Sequence, residues 1–101
     1  MNSDYTVRIT PEAEADMENL WGYITYELDS PDSAFKIVDD LYGEIAKLEK
    51  MPKRFRVIPR EPWKSRGVRF MFVDNYRVHY VVDDNKNLVI VFNIMYSRSC
   101  S

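Results

Sequence analysis

Three arginines, one histidine and one tyrosine in the C-terminal half of the chain have the types and spacing to act on a polyanion: Arg69, Arg77, Arg98, His79 and Tyr96. A guanidinium presents a planar fork of donors that fits phosphate oxygens. Several together can hold the charge that develops on phosphate during RNA strand cleavage. The plainer alternative for each arginine is a solvated strand residue. His79 is the single histidine, and an unperturbed imidazole titrates near neutrality, which suits a general base. A packed or hydrogen-bonded strand residue is the competing account. Tyr96, two residues before Arg98, could stack on a base, transfer a proton or simply pack.

A second group lies in residues 52–66, where Pro52, Pro59 and Pro62 break any regular element. Arg54, Arg56, Arg60, Lys64 and Arg66 are interleaved there with Phe55 and Trp63, a candidate surface for nucleic acid or a protein partner. Other chemistries lack their residues. Gly22, Gly43 and Gly67 are scattered and make no phosphate loop, and no serine stands at a recognisable spacing from His79 and an acid. One histidine and one cysteine do not make a zinc site, so neither a metal nor a cofactor is expected. Cys100 has no partner for an intrachain disulfide, and as the penultimate residue it reads as a frayed end.

Charge divides the chain. Residues 1–50 hold four basic and twelve acidic residues, a balance of −8, and residues 51–101 hold ten basic and four acidic, a balance of +6. The basic half suits a polyanion or an acidic partner, whereas the net charge of −2 argues against indiscriminate nucleic-acid binding. With 101 residues, 46% of them hydrophobic, the chain should form one domain, 1–101, around one core. No basic leader precedes an apolar run, and no stretch approaches a membrane span. A cytoplasmic protein is expected.

The elements that must position these residues follow from periodicity. Tyr5, Val7 and Ile9 alternate with polar residues as in a half-buried strand. Thr10-Pro11-Glu12 reads as an N-cap, a proline in the first turn and an acid that complements the helix dipole. Met17, Leu20, Trp21, Ile24 and Leu28 then make an apolar helical stripe, with Glu12, Glu14, Asp16, Glu18 and Glu27 on the remaining surface. Ser30-Pro31-Asp32 repeats the start signal, and Ala34, Ile37, Val38, Leu41, Ile45 and Leu48 carry a second helix to about Lys50, antiparallel to the first. From Gly67 the period changes to two. Val68 to Val73, Tyr76 to Val82 and Leu88 to Tyr96 read as a meander, with a tight turn at Asp74-Asn75 and a polar loop at Asp83 to Asn87.

The fold class is therefore α+β, in the order strand, helix, helix, strand, strand, strand, with an antiparallel helical hairpin on one face of the sheet. Alternation puts Arg69 on the side of Met71 and Val73, and Arg77 on the side of His79 and Val81. If the helices cover the more aromatic side of each strand, Arg69 and Arg77 emerge together on the open face and meet Arg98.

Ile9-Thr10-Pro11-Glu12-Ala13-Glu14-Ala15-Asp16, Trp21-Gly22-Tyr23-Ile24, Asn75-Tyr76-Arg77-Val78-His79-Tyr80-Val81-Val82-Asp83 and Ile94-Met95-Tyr96-Ser97-Arg98 together resemble the RelE/ParE toxin superfamily of type II toxin-antitoxin modules. The resemblance implies a growth-inhibiting toxin whose cognate antitoxin wraps and neutralises it. It implies one of two targets: the ribosome and its mRNA, cut by a ribosome-dependent endonuclease (an mRNA interferase), or DNA gyrase, poisoned by a ParE-like inhibitor. A non-catalytic binding protein of the same fold is the third reading. Arg77 matches the arginine of the nucleases' tyrosine-arginine strand, Arg98 matches the arginine near the end of their last strand, and Arg69 falls in a strand that supplies basic residues. The ending Ser97-Arg98-Ser99-Cys100 departs from the glycine, two arginines and acid of many relatives. The long acidic hairpin looks ParE-like, while Arg77, Tyr96 and Arg98 tip the reading slightly to the nuclease. Phe55, Trp63 and the exposed helix faces are the expected anchors for the antitoxin.

Overall fold

The computed structural model describes residues 4–97. Strand β1, Thr6–Ile9, leads into helix α1, Pro11–Gly22, and helix α2, Pro31–Ala46, runs antiparallel to it. A short helix α3, Trp63–Arg66, precedes β2, Arg69–Val73, β3, Tyr76–Asp83, and β4, Leu88–Tyr96. The order β-α-α-β-β-β is the one expected. Arg98 and Cys100 lie outside the described residues.

Both helix starts fall where the sequence places them, by different means. The Thr10 hydroxyl accepts the Ala13 amide at 3.2 Å, satisfying a donor that has no partner within the helix. Ser30 instead donates its hydroxyl to Ser33 Oγ at 2.8 Å and caps no amide. The first helical stripe does not run true to Leu28. Residues Tyr23–Glu27 widen into a π turn, closed by Leu28 N–H donating to the Tyr23 carbonyl at 3.1 Å. The extra residue in the turn shifts the helical phase of the residues beyond it, so Ile24 stays buried while Leu28 is 56% exposed. The second stripe ends in a 3-10 turn, Lys47–Glu49, that still buries Leu48.

The sheet order is β1-β4-β3-β2. β2, β3 and β4 form the antiparallel meander, and β1 runs parallel to β4 through Thr6↔Leu88 to Ile9↔Val91. β1 is too short to pair the second half of β4, which is left with a free edge where the chain turns into α1. The hairpin packs on one face, burying Ala13, Met17 and Leu20 of α1 and Leu41 and Ile45 of α2 against Met71, Val78, Tyr80 and Val91.

The loop between α2 and β2 is fastened to this frame by polar contacts. Tyr80, wholly buried, donates to the Pro52 carbonyl at 2.6 Å. Arg69 donates through one nitrogen to the Phe55 and Lys53 carbonyls at 2.7 and 3.1 Å. Lys53 pairs with Asp84 at 2.7 Å, which also accepts the Tyr5 hydroxyl at 2.7 Å. Beyond these clamps the Ile58 amide donates to the Val68 carbonyl at 2.9 Å, so the loop partly covers the edge of β2.

Tyr80→Phe should cost about 1–3 kcal/mol by orphaning the buried Pro52 carbonyl, read as a lowered thermal midpoint. Burial pushes the Tyr80 hydroxyl up to about 12, against the pull of Arg69 and Arg54. Because the folded chain holds this proton more tightly, the associated stability is present below about pH 10 and is lost as pH rises towards 12. The alkaline fall in stability should therefore be shallower in Tyr80→Phe, as alkaline denaturation curves of the two proteins will show.

Candidate functional site: a groove on the open sheet face

On β3 the helices cover Tyr76, Val78 and Tyr80, as expected, but on β2 they cover Met71 and Val73 and leave Phe72 60% exposed. The register sets this, pairing Val73 with Tyr76, Phe72 with Arg77, Phe70 with His79 and Arg69 with Tyr80. Residues paired across strands share a face, so Arg69 lies on the helix side with Tyr80 and Arg77 lies on the open side. The expected meeting of Arg69 and Arg77 does not occur. Tyr96 pairs with Tyr76 and meets its ring edge-on at 5.5 Å, also away from Arg77. Of the five residues first singled out, the open face therefore gathers Arg77 and His79, while Arg98 lies outside the described residues.

A groove of about 1580 Å³ runs over this face, beneath the loop that precedes β2. Its floor includes Phe70, Phe72, Phe92 and Met95, and Arg54, Arg56, Arg60 and Trp63 line it from the loop. Lys64 and Arg66, expected in the same binding surface, are exposed on α3 and are not in the lining. Arg77 rests its guanidinium 4.7 Å from the centre of the Phe70 ring, and Arg54 sits 4.8 Å over Phe55. The groove thus has an aromatic floor and a cationic rim.

A β-bulge shapes the middle of the floor. Between His79 and Tyr80 the partner on β4 jumps from Asn93 to Val91, so Phe92 is the extra residue. A bulge re-aims side chains, and here Phe92 and Asn93 both meet His79. The rings of His79 and Phe92 stack with centroids 6.3 Å apart, and His79 Nδ1 is 2.9 Å from Asn93 Oδ1. Asn93 Nδ2 donates in turn to Asp16 Oδ2 at 3.3 Å. The same carboxylate oxygen accepts the Ile94 amide at 2.9 Å, closing the edge of β4 that β1 does not reach. Asp16, read from the sequence as an outward-facing acid, is turned onto the sheet. Asn93 interrupts the otherwise apolar run from Leu88 to Met95, and that break was the available signal.

Burial is the main influence holding the His79 pKa below the ordinary histidine value; the bond to Asn93 opposes it and the Arg77 charge adds to it. His79 is thus biased to the neutral form. A histidine with a depressed folded pKa gives stability that is present above the unfolded value of about 6.5 and lost as pH falls through the folded one. Acid titration of the thermal midpoint should therefore show a loss of stability beginning near pH 6.5, absent in His79→Gln.

The fold of the chain is shared by solved toxin-antitoxin structures. A chain of the chromosomal ParDE TA system from P. aeruginosa superimposes with a TM-score of 0.75 at 20% identity, over 93% of this chain and 97% of the other. A chain of the RelBE2 toxin-antitoxin complex from Mycobacterium tuberculosis gives 0.64 at 24% identity, over 93% and 99%. The isolated E. coli RelE toxin gives 0.65 at 14% identity, over 96% and 88%. No curated protein matches the chain. The family model of the ParE toxin of the type II toxin-antitoxin system parDE matches residues 7–99. The chain therefore belongs to the ParE toxin family, within the RelE/ParE superfamily. Among the described residues no helix is long and apolar enough to cross a membrane.

Proposed function

We propose that this toxin inhibits growth by binding DNA gyrase and is neutralised by a cognate antitoxin that covers the open sheet face. The observation that carries the choice of target is the scatter of the cleavage residues. Strand scission needs a base, an acid and cationic groups arranged around one phosphate, yet Arg69 and Tyr96 stand on the helix side while Arg77 and His79 stand on the other. The ParE match over residues 7–99 favours the same target, displacing the nuclease that the terminal motif favoured.

A floor of phenylalanines under a rim of arginines suits a protein partner that brings apolar and acidic side chains together, since aromatic and arginine residues dominate interface hot spots. The same surface serves the antitoxin, which accounts for neutralisation by simple occlusion. Structures of relatives are toxin-antitoxin complexes, in keeping with this partner.

The test is a supercoiling assay with purified gyrase beside a ribosome-programmed mRNA cleavage assay. Inhibition of supercoiling, relieved by adding the antitoxin encoded next to the chain, is the expected result. Efficient mRNA cleavage with unimpaired gyrase would return the protein to the nuclease reading.

A further inference from the structure

We propose that the outer edge of β1 is a docking edge for an extended segment of a partner protein, one that sets an acidic residue opposite Arg8 and an apolar residue on either side of it. β1 and β2 are the two outer strands of the sheet, so this edge lies at the opposite end from β2 and the loop that covers it.

The ladder decides which backbone groups are free. Thr6 and Thr10 donate their amides to the Asn87 and Val91 carbonyls at 2.8 and 2.9 Å. Alternate residues of a strand bond to the same neighbour, so Thr6, Arg8 and Thr10 turn their backbone groups to β4, while Val7 and Ile9 turn theirs away from it. Tyr5 shares the outward direction, and its amide donates to the Glu49 carbonyl at 2.8 Å. Beyond Tyr5 no strand pairs with β1 on that side. Among the described residues no backbone group outside the sheet bonds to Val7 or Ile9 either. An edge of this kind is a template for another chain.

Two features select the occupant. Val7 and Ile9 line a cavity of about 230 Å³ together with Tyr42, Ile45 and Ala46 of α2. Residues opposed across two strands share a face, so partner residues opposite Val7 and Ile9 bring their side chains to this cavity, where apolar ones fit. The partner residue between them shares the other face with Arg8, which is exposed and in no ion pair among the described residues. An acid there gains a cross-strand pair. A second copy of the chain is the wrong occupant, because pairing Val7 with Ile9 of the copy about a two-fold axis sets Arg8 directly against the copy's arginine. Like charges so placed repel. Arg8 thus guards the edge against self-association and marks it for an acidic strand.

The probe is a cyclic β-hairpin peptide whose free edge carries threonine-valine-glutamate-valine-threonine with both valine amides outward, titrated into the 15N-labelled chain. Without peptide, the Val7 and Ile9 amides should exchange with solvent faster than those of Arg8 and Thr10. The peptide should shift the Val7 and Ile9 resonances and slow their exchange. Lysine in place of the glutamate should weaken binding about two- to fivefold, and Arg8→Glu should reverse the preference, which a folding defect would not do. Methylating the two valine nitrogens of the peptide removes its donors without altering the chain, and should abolish binding. Slow exchange at Val7 and Ile9 in the free chain overturns the proposal. So do equal affinities for the two peptides, shifts confined to the groove, or no shifts at millimolar peptide. Concentration-dependent dimers that protect the same two amides would give the edge to a second copy and overturn it as well.

Discussion

Arg77→Ala should fold and yet lose most of its power to arrest growth. In the folded chain the guanidinium lies over Phe70 at 4.7 Å and its Nε has no partner among the described residues. Truncation removes a cation–π contact of about 0.5–1 kcal/mol and also removes a buried unpaired donor, so the net change in stability should stay under about 1 kcal/mol. Binding should respond far more. A central arginine flanked by aromatic residues has the character of a hot spot, and losing one costs about 2 kcal/mol or more, some thirtyfold in affinity. Growth after induced expression, antitoxin affinity and thermal midpoint should be measured together. Full toxicity would remove Arg77 from the site, and a midpoint drop as large as that of a core mutant would make its role structural.

Leu41→Ala should have the opposite signature. Leu41 is wholly buried on α2, in the core between the hairpin and the sheet, and cavity formation at such a site costs about 2–5 kcal/mol. A domain of this size has roughly 5–15 kcal/mol in all, so the midpoint should fall by about 10 °C or more. Phe35→Ala on the same helix is the control, because Phe35 is 66% exposed and its loss should change stability by only about 0.5 kcal/mol. Denaturant or thermal unfolding of the two variants gives the comparison; equal effects would mean that the hairpin packs differently.

The sequence disclosed most of the elements because their signals are local. Thr10-Pro11-Glu12 and Ser30-Pro31-Asp32 start helices by their own chemistry, and alternation from Val68 onward demands strands. The site was harder to read because it depends on which face the helices take. The two-residue turn at Asp74-Asn75 already implied that Val73 opposes Tyr76, and hence that Arg69 shares a face with Tyr80 rather than with Arg77. The expectation that the helices cover the more aromatic side of each strand leads to the opposite placement of Arg69. It held for Tyr76 and Tyr80 and failed for Phe70 and Phe72.

Other parts of the site depend on contacts that no local pattern announces. The Phe92 bulge exists only in the pairing of β3 with β4. Asp16 reaches Ile94 and Asn93 because β1 pairs parallel with β4 and ends at Ile9, which opens the edge that α1 then fills. The loop clamps at Tyr80 and Arg69 likewise join residues far apart in the chain. Arg69, selected by type as a phosphate ligand, is seen to hold the Phe55 and Lys53 carbonyls.

The choice of gyrase over the ribosome is tested most directly inside cells. After a short induction of the chain without its antitoxin, DNA breaks covalently attached to gyrase and mRNA ends produced within ribosomes should be mapped from the same culture. Gyrase-linked breaks that rise with induction, disappear in Arg77→Ala and are unaccompanied by new mRNA ends are the predicted result. New mRNA ends at translated codons, with chromosomal DNA intact, would contradict it.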